Sequence, residues 1–241
     1  NLAGQTSVGL SFDQPVEAIE SIAIGTLNIL EVIRLLSKPV RFYNAGSSEC
    51  FGDTGDTPAN EQTPFAPRSP YAVAKSTAKW LINSYRESYG LYACTGILFN
   101  HESPLRPERF VTQKIIAGAA KIKAGQLDKL QLGNLDISRD WGWAPEYVEA
   151  MWLMMQLDKP DDFVIATGRK ESLKYFVAKS FEYFDLDWQK YVEIEKSFFR
   201  PNEIVSSVGN PEKAIKTLGW KKPTDIDGVI KMMCAEKAKS I

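Results

Sequence analysis

The sequence contains one histidine and three cysteines, and both scarcities exclude classes of functional site. A single histidine, His101, rules out most Ser-His-Asp triads and most histidine-based metal centres. Cys50, Cys94 and Cys234 lie far apart and form no CxxC pair, so we predict neither a zinc site nor a disulfide framework. Unpaired thiols are typical of a reducing compartment, and we therefore expect a cytoplasmic protein without a bound metal.

Two further absences concern charge and hydrophobic runs. Lys and Arg together number 29 against 30 for Asp and Glu, so the chain has no basic excess for a nucleic acid or a membrane surface. No apolar run approaches the roughly 20 residues that a membrane helix needs, and no signal-peptide pattern is visible. We expect neither a nucleic acid nor a membrane as a partner.

Hydrophobic periodicity predicts strands that alternate with helices in the first part of the chain. Residues 16–36 and 70–89 have helical spacing, whereas 40–46 and 92–99 have the pattern of buried strands. This alternation predicts an α/β fold with a parallel sheet covered by helices, and its weakening after about residue 100 predicts a smaller mixed lobe. Further helices are predicted at 111–124, at 145–157 and from Asn210-Pro211 to Leu218, and a further strand at 162–167.

The helix predicted at 70–89 carries the strongest chemical signal. Ser69 is a candidate N-cap and Pro70 suits the first helical position. Tyr71 and Lys75 then share one face, where the ammonium and the helix N-terminus would lower the phenol pKa from about 10 and favour a base. An exposed YxxxK pair arises often by chance, so the alternative is a pair without function.

Polar side chains also follow the strand at 40–46. Ser47, Ser48 and Glu49 come directly after it, and ligands of parallel α/β sheets bind beyond the carboxyl ends of the strands. A hydroxyl two residues before a carboxylate can place both groups over one substrate, although serine-rich strand ends are also ordinary turns. Five cations in loop-like stretches could together neutralise a diphosphate, while each alone is typical of a solvated surface. They are Arg106, Arg109, Lys114, Arg139 and Arg200.

Longer stretches resemble the GDP-mannose 4,6-dehydratase family of the extended short-chain dehydrogenase/reductase superfamily. The stretches FNHESP at 99–104 and RDWG at 139–142 are specific to this family within the superfamily. The resemblance spans nearly the whole chain in family order. Its other segments are 1–5, 47–49, 67–75, 85–90, 110–112, 132–134, 164–168 and 199–201.

The resemblance implies a Rossmann-like sheet, a tightly held NADP and GDP-mannose as substrate, in the first step toward GDP-fucose and related deoxysugars. The family oxidises C4 of the sugar, eliminates water across C5 and C6, and returns the hydride to C6. By the same resemblance Tyr71 is the base at the 4-hydroxyl, Ser47 relays its proton, and Lys75 holds the nicotinamide ribose. Glu49 is the base at C5, a task that a simple C4 epimerisation does not require.

The resemblance also implies the remaining contacts and a homo-oligomer, either a dimer or a tetramer. Residues 1–100 would form the NADP-binding domain, and 101–241 mainly a substrate-binding lobe with some segments that return to the sheet. The expected cofactor contacts are Leu2, Ala3, Gly4, Gln5, Thr6, Tyr71, Lys75, His101 and Arg106. The expected substrate contacts are Asn100, Lys114, Arg139, Arg200 and Glu203.

The glycine-rich turn of dinucleotide-binding sheets is absent from this sequence. The GxxG from Gly52 to Gly55 runs into Pro58 and does not open a helix. We therefore expect the chain to form a sheet that is truncated at its N-terminal side and lacks its first strands. Two alternatives stay open: another nucleotide-sugar dehydratase or epimerase, and a non-catalytic module that binds sugar nucleotides or serves assembly.

Overall fold

The computed structural model describes residues 1–36, 38–221 and 223–239 of the chain. Its helices and strands follow, with labels in chain order. The helices are α1 (Val8–Asp13), α2 (Pro15–Ile19), α3 (Gly25–Leu35), α4 (Pro70–Tyr89), α5 (Val111–Lys123), α6 (Ala144–Met154), α7 (Leu173–Tyr183), α8 (Trp188–Tyr191), α9 (Glu212–Leu218) and α10 (Ile226–Ala238). The strands are β1 (Arg41–Ala45), β2 (Tyr92–Leu98), β3 (Asn100–Glu102), β4 (Leu130–Leu132), β5 (Ser138–Arg139), β6 (Trp141–Trp143), β7 (Phe163–Ile165), β8 (Glu171–Ser172), β9 (Val192–Ile194) and β10 (Ser206–Ser207).

The main sheet has three parallel strands in the order β1-β2-β7. Its strands are buried on both faces over most of their length, so buried and exposed residues do not alternate along them. On one face, Phe42 packs with α3 and α4, and on the other face Tyr43 packs with α6 and α9. This arrangement confirms the predicted α/β fold with a parallel sheet. A second three-stranded sheet has the order β10-β5-β8. Two smaller sheets consist of β3 with β6 and of β4 with β9.

The boundaries of α4 are those that the sequence predicts. The Ser69 hydroxyl accepts a hydrogen bond from the backbone N–H of Ala72 at 3.1 Å, and Pro70 occupies the first helical position. Gly90 ends the helix with φ of +65°, a left-handed conformation that glycine adopts without a steric penalty. The helix that carries Tyr71 therefore starts at a position fixed by its own sequence.

The segment 16–36 is more broken than its periodicity predicts. It contains α2, one π-helical turn at Glu20–Ile24, and then α3. A π turn inserts one residue into the helix, and the apolar stripe persists through it, so the periodicity does not reveal the break.

The lobe beyond residue 100 is more helical than its weak alternation predicts. The sequence gives no prediction for α7 and α10, yet both pack with α5 around a core that includes Phe176 and Met233. In contrast, β7 is a strand of the main sheet although it lies beyond residue 100, and α6 and α9 pack on that sheet. The chain therefore passes between the main sheet and the second lobe more than once. Across the described residues, none of the helices combines the length and the apolar character that a bilayer crossing requires.

Candidate functional site

A cleft of about 330 Å³ lies where the carboxyl ends of β1 and β2 face the second lobe. This is the edge at which a parallel α/β sheet presents its ligand site. Most of the predicted site residues line it, although they come from distant parts of the chain. They are Thr6, Ser47, Glu49, Tyr71, Asn100, His101, Arg106, Lys114, Arg139, Arg200 and Glu203.

Ser47 and Glu49 enter the cleft from the turn after β1. Ser47 caps a single 3₁₀ turn, and its hydroxyl accepts a hydrogen bond from the backbone N–H of Glu49 at 3.3 Å. Burial raises the pKa of Glu49 above its ordinary value, whereas the nearby Arg139 and Arg200 act in the opposite direction. A carboxyl group with a raised pKa can both accept and return a proton near neutral pH.

Tyr71 lies in the first turn of α4, beside the Ser47 hydroxyl. The backbone N–H of Tyr71 donates to the buried Ser11 hydroxyl of α1 at 3.2 Å, which fixes the start of the helix from a second side. Burial raises the pKa of the phenol above its ordinary value, and the hydrogen bond with Ser47 lowers it by less. The lowering that the sequence predicts is therefore wrong for this structure, because the effect of burial on the phenol exceeds that of the Ser47 hydrogen bond.

Lys75 lies one turn behind Tyr71 and is buried. Its ammonium donates to the Ala45 carbonyl at 2.8 Å and lies 5.8 Å from the centroid of the Tyr71 ring. Burial also lowers the pKa of Lys75. The ammonium thus lies outside the set of groups that line the cleft, and it does not reverse the effect of burial on Tyr71.

The N-terminal segment runs beside the end of β1. The backbone N–H of Ala45 donates to the Asn1 carbonyl at 3.1 Å, and that of Gln5 to the Ser21 hydroxyl at 3.2 Å. Thr6 lines the cleft, and Leu2 is 66% exposed. The predicted cofactor residues Leu2, Ala3, Gly4 and Gln5 lie outside the cleft wall.

His101 and Arg106 form the wall next to β3. The His101 ring stacks on Tyr147 at 4.8 Å between centroids, and its Nδ1 lies 2.8 Å from the Phe99 carbonyl. Burial lowers the pKa of His101, so the ring is neutral near pH 7. Because a carbonyl oxygen only accepts, Nδ1 carries the proton and Nε2 is left as an acceptor. A guanidinium N–H of Arg106 donates to the His101 carbonyl at 2.8 Å.

The opposite wall carries most of the predicted substrate contacts. Arg139 is buried and donates to the Glu203 carboxylate at 3.1 Å. The Lys114 ammonium lies 4.4 Å from the centroid of the Phe198 ring, and burial lowers its pKa. Together with Arg200, this wall presents cationic groups over an aromatic surface, a combination that suits a phosphorylated ligand.

Asp140, the neighbour of Arg139, is fully buried and connects three loops. Its carboxylate accepts hydrogen bonds from Thr167 N–H and O–H at 2.9 and 2.7 Å, from Gly168 N–H at 3.0 Å and from Gly209 N–H at 3.4 Å. Burial nevertheless raises the pKa of Asp140 from 3.8 to about 6. This carboxylate holds β5 against the end of β7, and so fixes the strand that carries Arg139.

The raised pKa predicts a pH dependence of stability. The folded state binds the Asp140 proton more tightly than the unfolded state, so the free energy of unfolding should fall as the pH rises from 3.8 to above 6. The expected loss from this group is about 3 kcal/mol, at about 1.4 kcal/mol per pKa unit. Urea unfolding of Asp140→Asn should show the variant gaining stability relative to the parent over this range. A difference that stays constant with pH would contradict the prediction.

The structure adds residues that the sequence does not single out. Glu102 and Thr112 line the cleft, as do Ser7 and Val8, which follow the segment expected along the cofactor. Arg109, one of the five loop cations of the sequence analysis, also lines it. Glu102 had one visible signal, a carboxylate three residues after the apolar run Ile97–Phe99, where burial requires a partner.

The chain resembles known proteins over nearly its whole length. The family model described as GDP-mannose 4,6 dehydratase matches residues 1–233. Two curated proteins of Arabidopsis thaliana, GDP-mannose 4,6 dehydratases 1 and 2, are each 49% identical to the chain over 240 residues and cover 98% of it. The chain spans 66% and 64% of the lengths of these two relatives.

Among solved structures, RMD from Pseudomonas aeruginosa complexed with NADPH matches the chain with a TM-score of 0.90 at 21% identity. The match covers 100% of this chain and 80% of that one. At this level of identity the likeness concerns the fold, and it shows that the parallel sheet and the second lobe form a Rossmann-like α/β architecture.

Proposed function

Because this chain belongs to the GDP-mannose 4,6-dehydratase family, we propose that its cleft converts GDP-D-mannose to GDP-4-dehydro-6-deoxy-D-mannose in an NADP-dependent enzyme. One observation carries the proposal: Ser47, Glu49 and Tyr71 line the same cleft as the cations Arg139 and Arg200. An acid–base pair next to a diphosphate-binding wall is what this dehydration needs.

The residues present fit NADP as the cofactor. One buried polar atom, Oε1 of Gln5, next in sequence to the cleft residue Thr6, has no hydrogen-bond partner within the described part of the chain, which leaves one acceptor for a ligand. The donors of Tyr71 and Arg106 suit a group rich in hydroxyls and phosphates, and His101 offers a ring acceptor. Lys75 lies behind Tyr71, where its ammonium donates to the Ala45 carbonyl. Leu2 to Thr6 would lie along the same cofactor. When bound, NADP would supply the hydride acceptor for C4 and the hydride donor for C6.

Tyr71 has the first acid–base task in this proposal. Its phenolate takes the proton of the sugar 4-hydroxyl as C4 is oxidised, and the adjacent Ser47 hydroxyl relays that proton. The pKa of the phenol is raised in this structure, so the reaction needs a positive charge bound beside the phenol to stabilise the phenolate.

Glu49 has the second task. A ketone at C4 acidifies the hydrogen at C5, and the Glu49 carboxylate removes it while the C6 hydroxyl leaves as water. The carboxyl group returns its proton to the leaving hydroxyl, so one residue serves both halves of the elimination. Its burial and raised pKa suit this double use. Asn100, Lys114, Arg139, Arg200 and Glu203 would hold the GDP-sugar over these groups.

The proposal is tested with the natural protein, NADP and GDP-mannose. We expect the nucleotide sugar to lose the mass of one water and to gain a carbonyl group, both measured by mass spectrometry after carbonyl trapping. A product of unchanged mass would favour an epimerase instead. Binding of GDP-mannose without NADP and without any product would favour a non-catalytic module.

We also propose that the protein is a cytosolic homo-oligomer. Its three cysteines are free and buried, which fits a reducing compartment. The outer faces of α3 and α4, which pack against each other, expose large apolar side chains, and self-association would cover them. The exposed apolar side chains include Val32, Leu35, Val73 and Trp80. Sedimentation velocity at micromolar concentration should show a dimer or a tetramer.

A further inference from the structure

Glu102 is a buried carboxylate in the wall of the cleft that the proposed chemistry does not use. It is the last residue of β3 and is 1% exposed. Two groups contact its Oε2 atom: the Thr112 hydroxyl donates to it at 2.7 Å, and Nε of Arg106 lies 3.4 Å away. The Arg106 contact is an ion pair without hydrogen-bond geometry. A carboxylate so deeply buried needs partners of this kind to remain charged.

Arg106 is held at three points around this carboxylate. Its guanidinium pairs with Glu102, donates to the His101 carbonyl at 2.8 Å and stacks 4.1 Å from the centroid of the Phe110 ring. Its position is therefore set by β3, which precedes the loop 103–110, and by Phe110 at the end of that loop. Removing the charge of Glu102 would leave a partly buried guanidinium with a carbonyl and a ring but no counter-charge.

Thr112 connects the same carboxylate to the other wall. It lies in the first turn of α5, the helix that also carries Lys114. The Gln113 side chain makes a second connection, because its amide donates to the Ser103 and Pro104 carbonyls, each at 3.0 Å. Of the two connections only the one through Glu102 includes a charge, and it alone involves Arg106 directly.

We propose that Glu102 is a positioning residue whose charge holds Arg106, and through it His101, in place. The inference rests on the proposed function, in which Arg106 and His101 face the cofactor. In this arrangement the charge of Glu102 fixes where the guanidinium donors point, and the ion pair does this without the Thr112 hydrogen bond. Glu102 touches neither substrate nor reacting atoms in the proposed mechanism, and its effect reaches the cofactor through Arg106.

The test compares Glu102→Gln with Thr112→Val in the natural protein. Glutamine keeps the size of the side chain and an acceptor for the Thr112 hydroxyl but removes the charge that faces Arg106. Valine removes the hydroxyl and leaves the ion pair. Affinity for NADPH is measured by the fluorescence of the nicotinamide, affinity for GDP by titration calorimetry, and stability by thermal unfolding.

We expect Glu102→Gln to weaken NADPH binding at least tenfold while the affinity for GDP changes less than threefold. Thr112→Val should change both affinities less than threefold. The inference is overturned if Glu102→Gln binds NADPH like the parent, if it loses NADPH and GDP equally, or if Thr112→Val loses as much NADPH affinity. A parent protein that binds GDP but no NADPH would instead overturn the proposed function, and the inference with it.

Discussion

Replacing Tyr71 with phenylalanine should abolish turnover of GDP-mannose while leaving the binding of the nucleotide sugar intact. The substitution removes only the phenolic oxygen, which in the proposed mechanism accepts the proton of the 4-hydroxyl. Loss of a general base costs about a hundredfold to ten-thousandfold in rate. We expect a decrease of this size in kcat, with KM changed less than threefold, measured with the natural protein by product formation.

A matched control for this prediction lies on the same helix. Tyr85 is on α4, and its hydroxyl donates to Glu31 at 2.5 Å, away from the cleft. Tyr85→Phe should therefore retain activity close to that of the parent. A Tyr71→Phe protein with near-normal kcat would remove Tyr71 from the role of base. Equal losses in both variants would indicate damage to α4 rather than to the chemistry.

Replacing Glu49 with glutamine should separate C4 oxidation from the loss of water. Glutamine keeps the shape and hydrogen bonding of the side chain but cannot take a proton from C5. Oxidation at C4 needs Tyr71 and NADP but not this carboxylate. We expect the nicotinamide absorbance to rise when GDP-mannose is added, and the release of dehydrated product to fall by about a hundredfold or more.

The outcome shows whether Glu49 acts in the elimination of water and Tyr71 in the oxidation of C4. Product at close to the parent rate would show that Glu49 is not the elimination base. Absence of both absorbance change and product would place Glu49 in binding or in C4 oxidation, contrary to the proposal. Glu87→Gln, which alters an exposed carboxylate on α4, is the control and should behave like the parent.

The elements that the sequence predicts well are those with local signals. Ser69 and Pro70 define the start of α4 regardless of the rest of the fold, and so place Tyr71 in its first turn. The apolar run before Ser47 predicts β1, and the strand end places Glu49 in the cleft. Both signals lie within a few residues of the site that they predict.

Two helices of the second lobe were missed although their caps are visible in the sequence. The Ser172 hydroxyl accepts the Tyr175 N–H at the start of α7, and the Asp225 carboxylate accepts the Gly228 N–H at the start of α10. The hydrophobic alternation beyond residue 100 is too weak to predict a helix after either cap.

Other features depend on tertiary structure and leave no local signal. Burial sets the direction of the Tyr71 pKa, and the residues that bury it come from several parts of the chain. The contact of Glu102 with Thr112 spans ten positions, and that of Tyr71 with Ser11 spans sixty. Residue spacing predicts a helix face, whereas contacts of this kind require the complete fold.

The return of β7, α6 and α9 to the main sheet has a consequence for synthesis on the ribosome. The face of the sheet that includes Tyr43 and Cys94 is covered by side chains as late in the chain as Trp220. At the usual rate of elongation, that face stays uncovered for on the order of ten seconds after β2 has emerged, until its covering helices are synthesised. During this interval β1 and β2 present this apolar face, and a holding chaperone that binds such surfaces would have its target there.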